Sequence, residues 1–99
     1  MYTYYLTISH YPKKRYRIIT PDGTCIDFGN PYEMNYTQHR DKYKQLNYIM
    51  INSPFSDWTR KGIKTASFWE YWLCWHSENL GDALKNVMRI FNIKIDIIY

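Results

Sequence analysis

The sequence predicts an α+β fold, a small antiparallel sheet covered on one face by about three helices. Three observations lead there. Side chains alternate between two faces near the start of the chain and again near its end. A Pro-Asp-Gly turn joins two short extended runs, and the middle repeats its apolar positions every three or four residues. Ninety-nine residues hold one core and leave no material for a second, so a single domain over 1–99 is expected.

The first strand, at about 2–10, sets Tyr2, Tyr4, Leu6, Ile8 and His10 on one side and Thr3, Tyr5, Thr7 and Ser9 on the other. Alternation of aromatic and β-branched residues suits a pleated surface with one buried side. A second strand at about 15–20 ends in Thr20-Pro21-Asp22-Gly23, where proline presets its φ and glycine accepts a positive one. The third strand, about 24–28, stops at Gly29-Asn30-Pro31. The spacing then becomes helical over 37–51, with Thr37 able to cap and His39, Tyr43, Leu46 and Met50 as the inward face. Asn52-Ser53-Pro54 closes that helix, and residues 55–64 read as an ordered loop pinned by Phe55 and Trp58.

A helix over 66–76 is expected next. It starts at Thr65 or Ser67, the latter three residues before Glu70 as in a capping box. Phe68, Trp72 and Trp75 share the face turned to the sheet, and Trp69, Leu73 and His76 share the neighbouring one. A third helix over 79–91 begins at Asn79 and shows the narrowest stripe, Leu80, Ala83, Leu84, Val87, Met88 and Phe91, with Asn92 suited to its end. Residues 93–99 alternate again as Ile93, Ile95, Ile97 and Tyr99. This last strand pairs best beside the first, because neither is held by a short hairpin connection on that side.

Composition bounds the function. Hydrophobic residues make up 45% of the chain and aromatics 19%, so a packed core is within reach and disorder is not expected. The net charge of +4 permits acidic partners without demanding them. The first fifty residues carry seven basic and four acidic side chains and the rest six and five, so the excess sits toward the N-terminal half. Cys25 and Cys74 lack C-x-x-C spacing; free thiols in a reducing compartment are the expectation, with a single disulfide between them as the alternative. No basic-then-apolar leader opens the chain, and no run approaches the ~18 apolar residues of a membrane span. An intracellular, unsecreted protein is the expectation.

Reactive constellations do not emerge. His10, His39 and His76 fall on three different elements with no ligand spacing, so neither metal nor cofactor is expected. No serine sits in a nucleophile elbow, no cysteine has a catalytic context, the four glycines are dispersed, and the carboxylates stand singly. No small-molecule ligand is evident. The sharpest charged feature is Lys13-Lys14-Arg15-Tyr16-Arg17, which suits phosphate contact with Tyr11 or Tyr16 stacking on a base. Arg60, Lys61 and Lys64 form a second basic group. The bland counterpart is a strand edge kept from aggregating by its charges. Four tryptophans lie between Trp58 and Trp75. Core packing accounts for most of them, but their crowding in so small a domain points to Trp69 and Tyr71 as a partner-binding surface.

The block Trp58, Gly62-Ile63-Lys64-Thr65-Ala66, Phe68-Trp69, Trp72-Leu73 and Trp75 resembles the signature of an uncharacterised family of small basic proteins of giant nucleocytoplasmic DNA viruses. Phe28-Gly29, Tyr36-Thr37, His39, Asp41 and the helix end Arg89-Ile90-Phe91 are similar to the rest of that family's pattern, so the likeness spans about Arg15 to Ile95. Ser67 stands where a glycine is expected and Tyr71 where an arginine is common, which removes a charge from the helix. The resemblance brings no catalytic residue. It implies a viral source and no mechanism. The expectation drawn beside it is a non-enzymatic structural or interaction component of the virion or of a replication factory in the host-cell cytoplasm, acting through exposed aromatic surface. Its partners would be other viral proteins or a second copy of itself. A nucleic-acid-binding module using residues 13–17 is the alternative.

Overall fold

The structure, a computed structural model, describes residues 2–98. Strands β1 (Thr3–Ile8), β2 (Tyr16–Ile19) and β3 (Cys25–Phe28) precede helices α1 (Tyr36–His39) and α2 (Lys42–Asn52). After two 3₁₀ turns come α3 (Ala66–Glu70), a π-helical turn (Tyr71–Trp75), α4 (Leu80–Phe91) and β4 (Lys94–Ile97). The class is α+β, as expected. Tyr99, assigned to the last strand by its alternation, lies outside the described residues.

The sheet order is β3-β2-β1-β4. Thr20 and Thr24 close the β2–β3 hairpin, with Thr20 N donating to Thr24 O at 2.9 Å and Gly23 at φ +87°. β4 does lie beside β1, but parallel to it, with Tyr4 opposite Ile95 and Leu6 opposite Ile97. The sheet is therefore mixed, not antiparallel. The reason is the crossover: the helical layer returns the chain to the end of the sheet at which β1 began.

Tyr4, Leu6, Ile18, Ile26, Phe28 and Ile95 bury one sheet face under Phe68, Trp69, Leu73, Ala83, Leu84, Val87 and Phe91. α4 matches its apolar stripe closely. Asn79 accepts from Asp82 N to cap its start, and Asn92 ends it at φ +54°. On the other sheet face Arg17 and Asp27 sit directly opposite each other across β2 and β3.

Two helices depart from expectation. The single helix over 37–51 is broken at Arg40, which takes a left-handed φ of +54°. Two caps impose the break, because Asn35 starts α1 and Asp41 accepts from Tyr43 N and Lys44 N to restart the chain as α2. The face of α2 is also turned over. Gln45 is buried, whereas Tyr43, Leu46 and Met50 are exposed. Phe55 pins nothing, being 89% exposed. The helix over 66–76 begins at Thr65, whose hydroxyl accepts from Phe68 N, and the Ser67–Glu70 box does not form. It changes to π geometry after Glu70, with His76 N donating to Tyr71 O five residues back at 2.8 Å. Trp69 and Leu73 thereby share the core with Phe68, while Trp72 and Trp75 are only half-buried.

Candidate functional site

The tryptophan-rich stretch is built into a ladder of rings. Tyr71 stacks on Trp58 at 4.0 Å between centroids, Trp58 on Tyr48 at 6.3 Å, and Tyr48 on Trp75 at 4.4 Å. His39 then meets Trp75 at 5.4 Å. The π turn makes this geometry available: its wider winding sets Tyr71 and Trp75, four residues apart, against rungs supplied by α2 and the loop at Trp58. Burial raises the pKa of the Tyr48 hydroxyl, and the Glu70 carboxylate beside it adds to the effect. Tyr71 is raised by burial as well, and burial lowers His76.

Trp69 is not a partner surface. Its side chain is fully buried against Tyr4, and its indole Nε1 donates to Ile63 O at 2.7 Å. Close packing over β1 consumed the ring that crowding had assigned to the outside. Tyr71 is half-buried, with one face taken by Trp58. The two side chains therefore do not form a joint exposed patch.

Most of the basic residues hold the fold together. Arg17 grips Asp27 through two contacts, Nε to Oδ1 at 3.0 Å and Nη2 to Oδ2 at 3.3 Å. Burial works against the Asp27 charge, yet the bonds from Arg17 and from Ser9 Oγ hold its carboxyl below the usual range. Arg15 Nη2 donates to the carbonyls of Asn30 and Glu33, and Arg60 Nη2 to the carbonyl of Phe91. Lys64 pairs with Asp22 at 2.8 Å on the surface. The ammonium groups of Lys13, Lys14 and Lys61 hold no ion pair among the described residues. Lys13 and Lys14 line an open groove of about 470 Å³ together with Tyr11, Pro12, Asp27 and Tyr32.

A recess of about 230 Å³ with mixed polar and apolar walls lies beside Tyr48 and Trp75, between the loop after β3 and the π turn. Glu33, Glu70, Asn52 and Asn35 reach it, and so does Cys74. Cys74 is no nucleophile there, since burial pushes its thiol up to about 12. Cys25 is exposed and, like Cys74, a free thiol. Among the described residues no group of three or more His, Cys, Asp or Glu side chains could hold a metal ion. No helix there is long and apolar enough to cross a membrane.

Exposed apolar side chains also gather on α2 and the 3₁₀ turn that extends it. Tyr43 is 84% exposed, Met50 74%, Ile51 59% and Leu46 53%, and Phe55 stands beyond them. Apolar side chains so open are uncommon in such number on one short helix of a small domain. The sequence suggests an inward place for four of these residues, Tyr43, Leu46, Met50 and Phe55, and is silent only on Ile51. The missed signal is Gln45 in the first turn and a half of the helix, whose amide donates to Trp75 O at 2.9 Å and His76 O at 3.2 Å. Those carbonyls face α2 at the end of the π turn and draw the polar side of α2 inward.

Residues 4–50 of the chain match a family of unknown function, DUF5754. This similarity runs from β1 into α2 and stops before the tryptophan-rich stretch. No curated protein and no solved structure matches the chain.

Proposed function

We propose that the chain is a non-enzymatic interaction component that works by presenting the apolar face of α2 to another protein surface. One observation carries this reading: Tyr43, Leu46, Met50 and Ile51 are exposed at spacings of three, four and one along the outer side of α2, and Phe55 is exposed in the turn that follows. Isolated exposed apolar residues are ordinary, but a cluster of five in a small domain is not. The resemblance of the Trp58–Trp75 block to a giant-virus family supports the finer statement that this component belongs to a virion or a cytoplasmic replication factory. The test is crosslinking mass spectrometry in host cells on the chain and on a Tyr43→Ser, Met50→Ser, Phe55→Ser triple variant. Loss of crosslinks with an unchanged melting curve is the expected result. An identical crosslink pattern in the variant overturns it.

A second reading has an observation of its own, the groove where Tyr11 and Tyr32 stand beside Lys13 and Lys14. That pairing of rings and ammonium groups suits a short single-stranded nucleic acid. Arg15, Arg17, Arg60 and Lys64 are engaged within the fold, so only about two phosphates would be neutralised. The salt dependence should then be shallow, a slope of roughly −1.4 in log affinity against log salt. Absence of binding to single strands at low salt removes this reading.

A further inference from the structure

We infer that the occupant of the α2 face is a second copy of the same face, docked antiparallel about a two-fold axis near Asn47. This rests on the interaction reading above and names its partner. Area is the first argument. At their observed exposures, Tyr43, Leu46, Met50, Ile51 and Phe55 present roughly 700 Å², close to the ~800 Å² that each side contributes to a standard stable interface.

Charge is the second argument. Both charged residues of α2, Lys42 and Lys44, sit in its first turn, and no charged residue occurs from Gln45 through Ser56. A face with no charge offers a charged partner nothing to complement, whereas a copy of itself meets no repulsion there. The direction follows from the same distribution. Parallel helices would bring four lysines together. Antiparallel helices separate the two pairs and set each Lys44 near the partner helix's C-terminal end, where unpaired carbonyls concentrate negative potential.

Symmetry supplies the third argument. Asn47 is exposed, four residues after Tyr43 and three before Met50, so it lies at the middle of the open face and of the helix. A two-fold axis there brings the two Asn47 amides side by side, where each donates to the other. A single amide in an apolar helix seam fixes register in this way. Tyr43 of one copy then meets Met50 and Ile51 of the other, and the reverse contact follows from the symmetry.

Sedimentation equilibrium on the full chain, across a wide concentration range, tests this directly. The expected result is reversible doubling of mass, weakened roughly 100-fold or more by Tyr43→Ser with Met50→Ser. The melting curve of the dilute, monomeric variant should be unchanged. Asn47→Cys in a Cys25→Ser background should form a disulfide dimer on mild oxidation, and Lys85→Cys on the exposed side of α4 should not. A chain that stays monomeric at every concentration overturns the second copy. In that case crosslinks to another protein through Tyr43–Phe55 would leave the interaction reading standing. A dimer that survives the Tyr43 and Met50 changes overturns the pairing of α2 faces, because the contact then lies elsewhere.

Discussion

At Gly62 the backbone leaves no room for any side chain. A Cβ there would lie 1.8 Å from the carbonyl oxygen of Asp57 and 3.1 Å from its Cβ. The approach is held from several sides: Gly62 N donates to Thr59 O, Thr65 N donates to Gly62 O, and Asp57 Oδ1 accepts from Thr59 N. The Thr59 hydroxyl and the Thr59 N–H both donate to Asp57 Oδ1 and hold its carboxyl below the ordinary carboxylate range. The loop is thus folded tightly back on itself, and it carries Trp58 to the ring ladder and Ile63 to the indole of Trp69. The need for glycine is steric, from the facing carbonyl. Gly62→Ala should cost about 2–4 kcal/mol in a urea melt, because backbone and not a flexible side chain must move. A loss under about 0.5 kcal/mol would mean that the loop has slack which this packing denies it.

Between elements, the coupling of α2 to the π turn rests on Gln45. Its amide nitrogen serves the carbonyls of Trp75 and His76, and its amide oxygen accepts from Lys42 Nζ at 3.1 Å. Gln45→Leu keeps the volume but takes the Gln45 donor from two part-buried carbonyls, so a loss of about 1–3 kcal/mol is expected from chemical denaturation. Near-ultraviolet circular dichroism should change with it, because Trp75 stacks on Tyr48 of the same helix. A neutral Gln45→Leu would show that packing alone seats α2. This contact also explains what the sequence disclosed and what it concealed. The β2–β3 hairpin and α4 were legible because their signals are local: a turn of fixed residue types, and a stripe of six apolar positions between two asparagine caps. α2 was read inside out, because periodicity reports where apolar residues cluster and not which side of the helix meets the protein. Tyr43, Leu46 and Met50 form a true stripe, but the carbonyls that outbid it for the inside arise from a π turn thirty residues later. The basic residues were misjudged for a similar reason. Asp27 and the carbonyls of Asn30, Glu33 and Phe91 claim Arg17, Arg15 and Arg60 only once the chain has folded.

For the whole molecule, one apolar cluster joins all four strands to α3, the π turn and α4. β1 stands between β2 and β4, so the sheet's centre combines a short-range hairpin neighbour with a strand some ninety residues away. Ile95 lies at the junction. It is buried, opposite Tyr4 in the parallel register, and the Tyr4 ring meets Trp69 at 5.6 Å. A change at Ile95 is therefore felt by the sheet and by the helical layer together. Ile95→Ala should remove about 2–4 kcal/mol. Because no boundary divides the core, far-ultraviolet circular dichroism and tryptophan fluorescence should lose their signals at one shared, lowered midpoint, as in a cooperative unit. If the fluorescence transition separates from the dichroism transition, the ring ladder and the sheet fold as two units, and the continuity of the core through Tyr4 and Trp69 does not bind them.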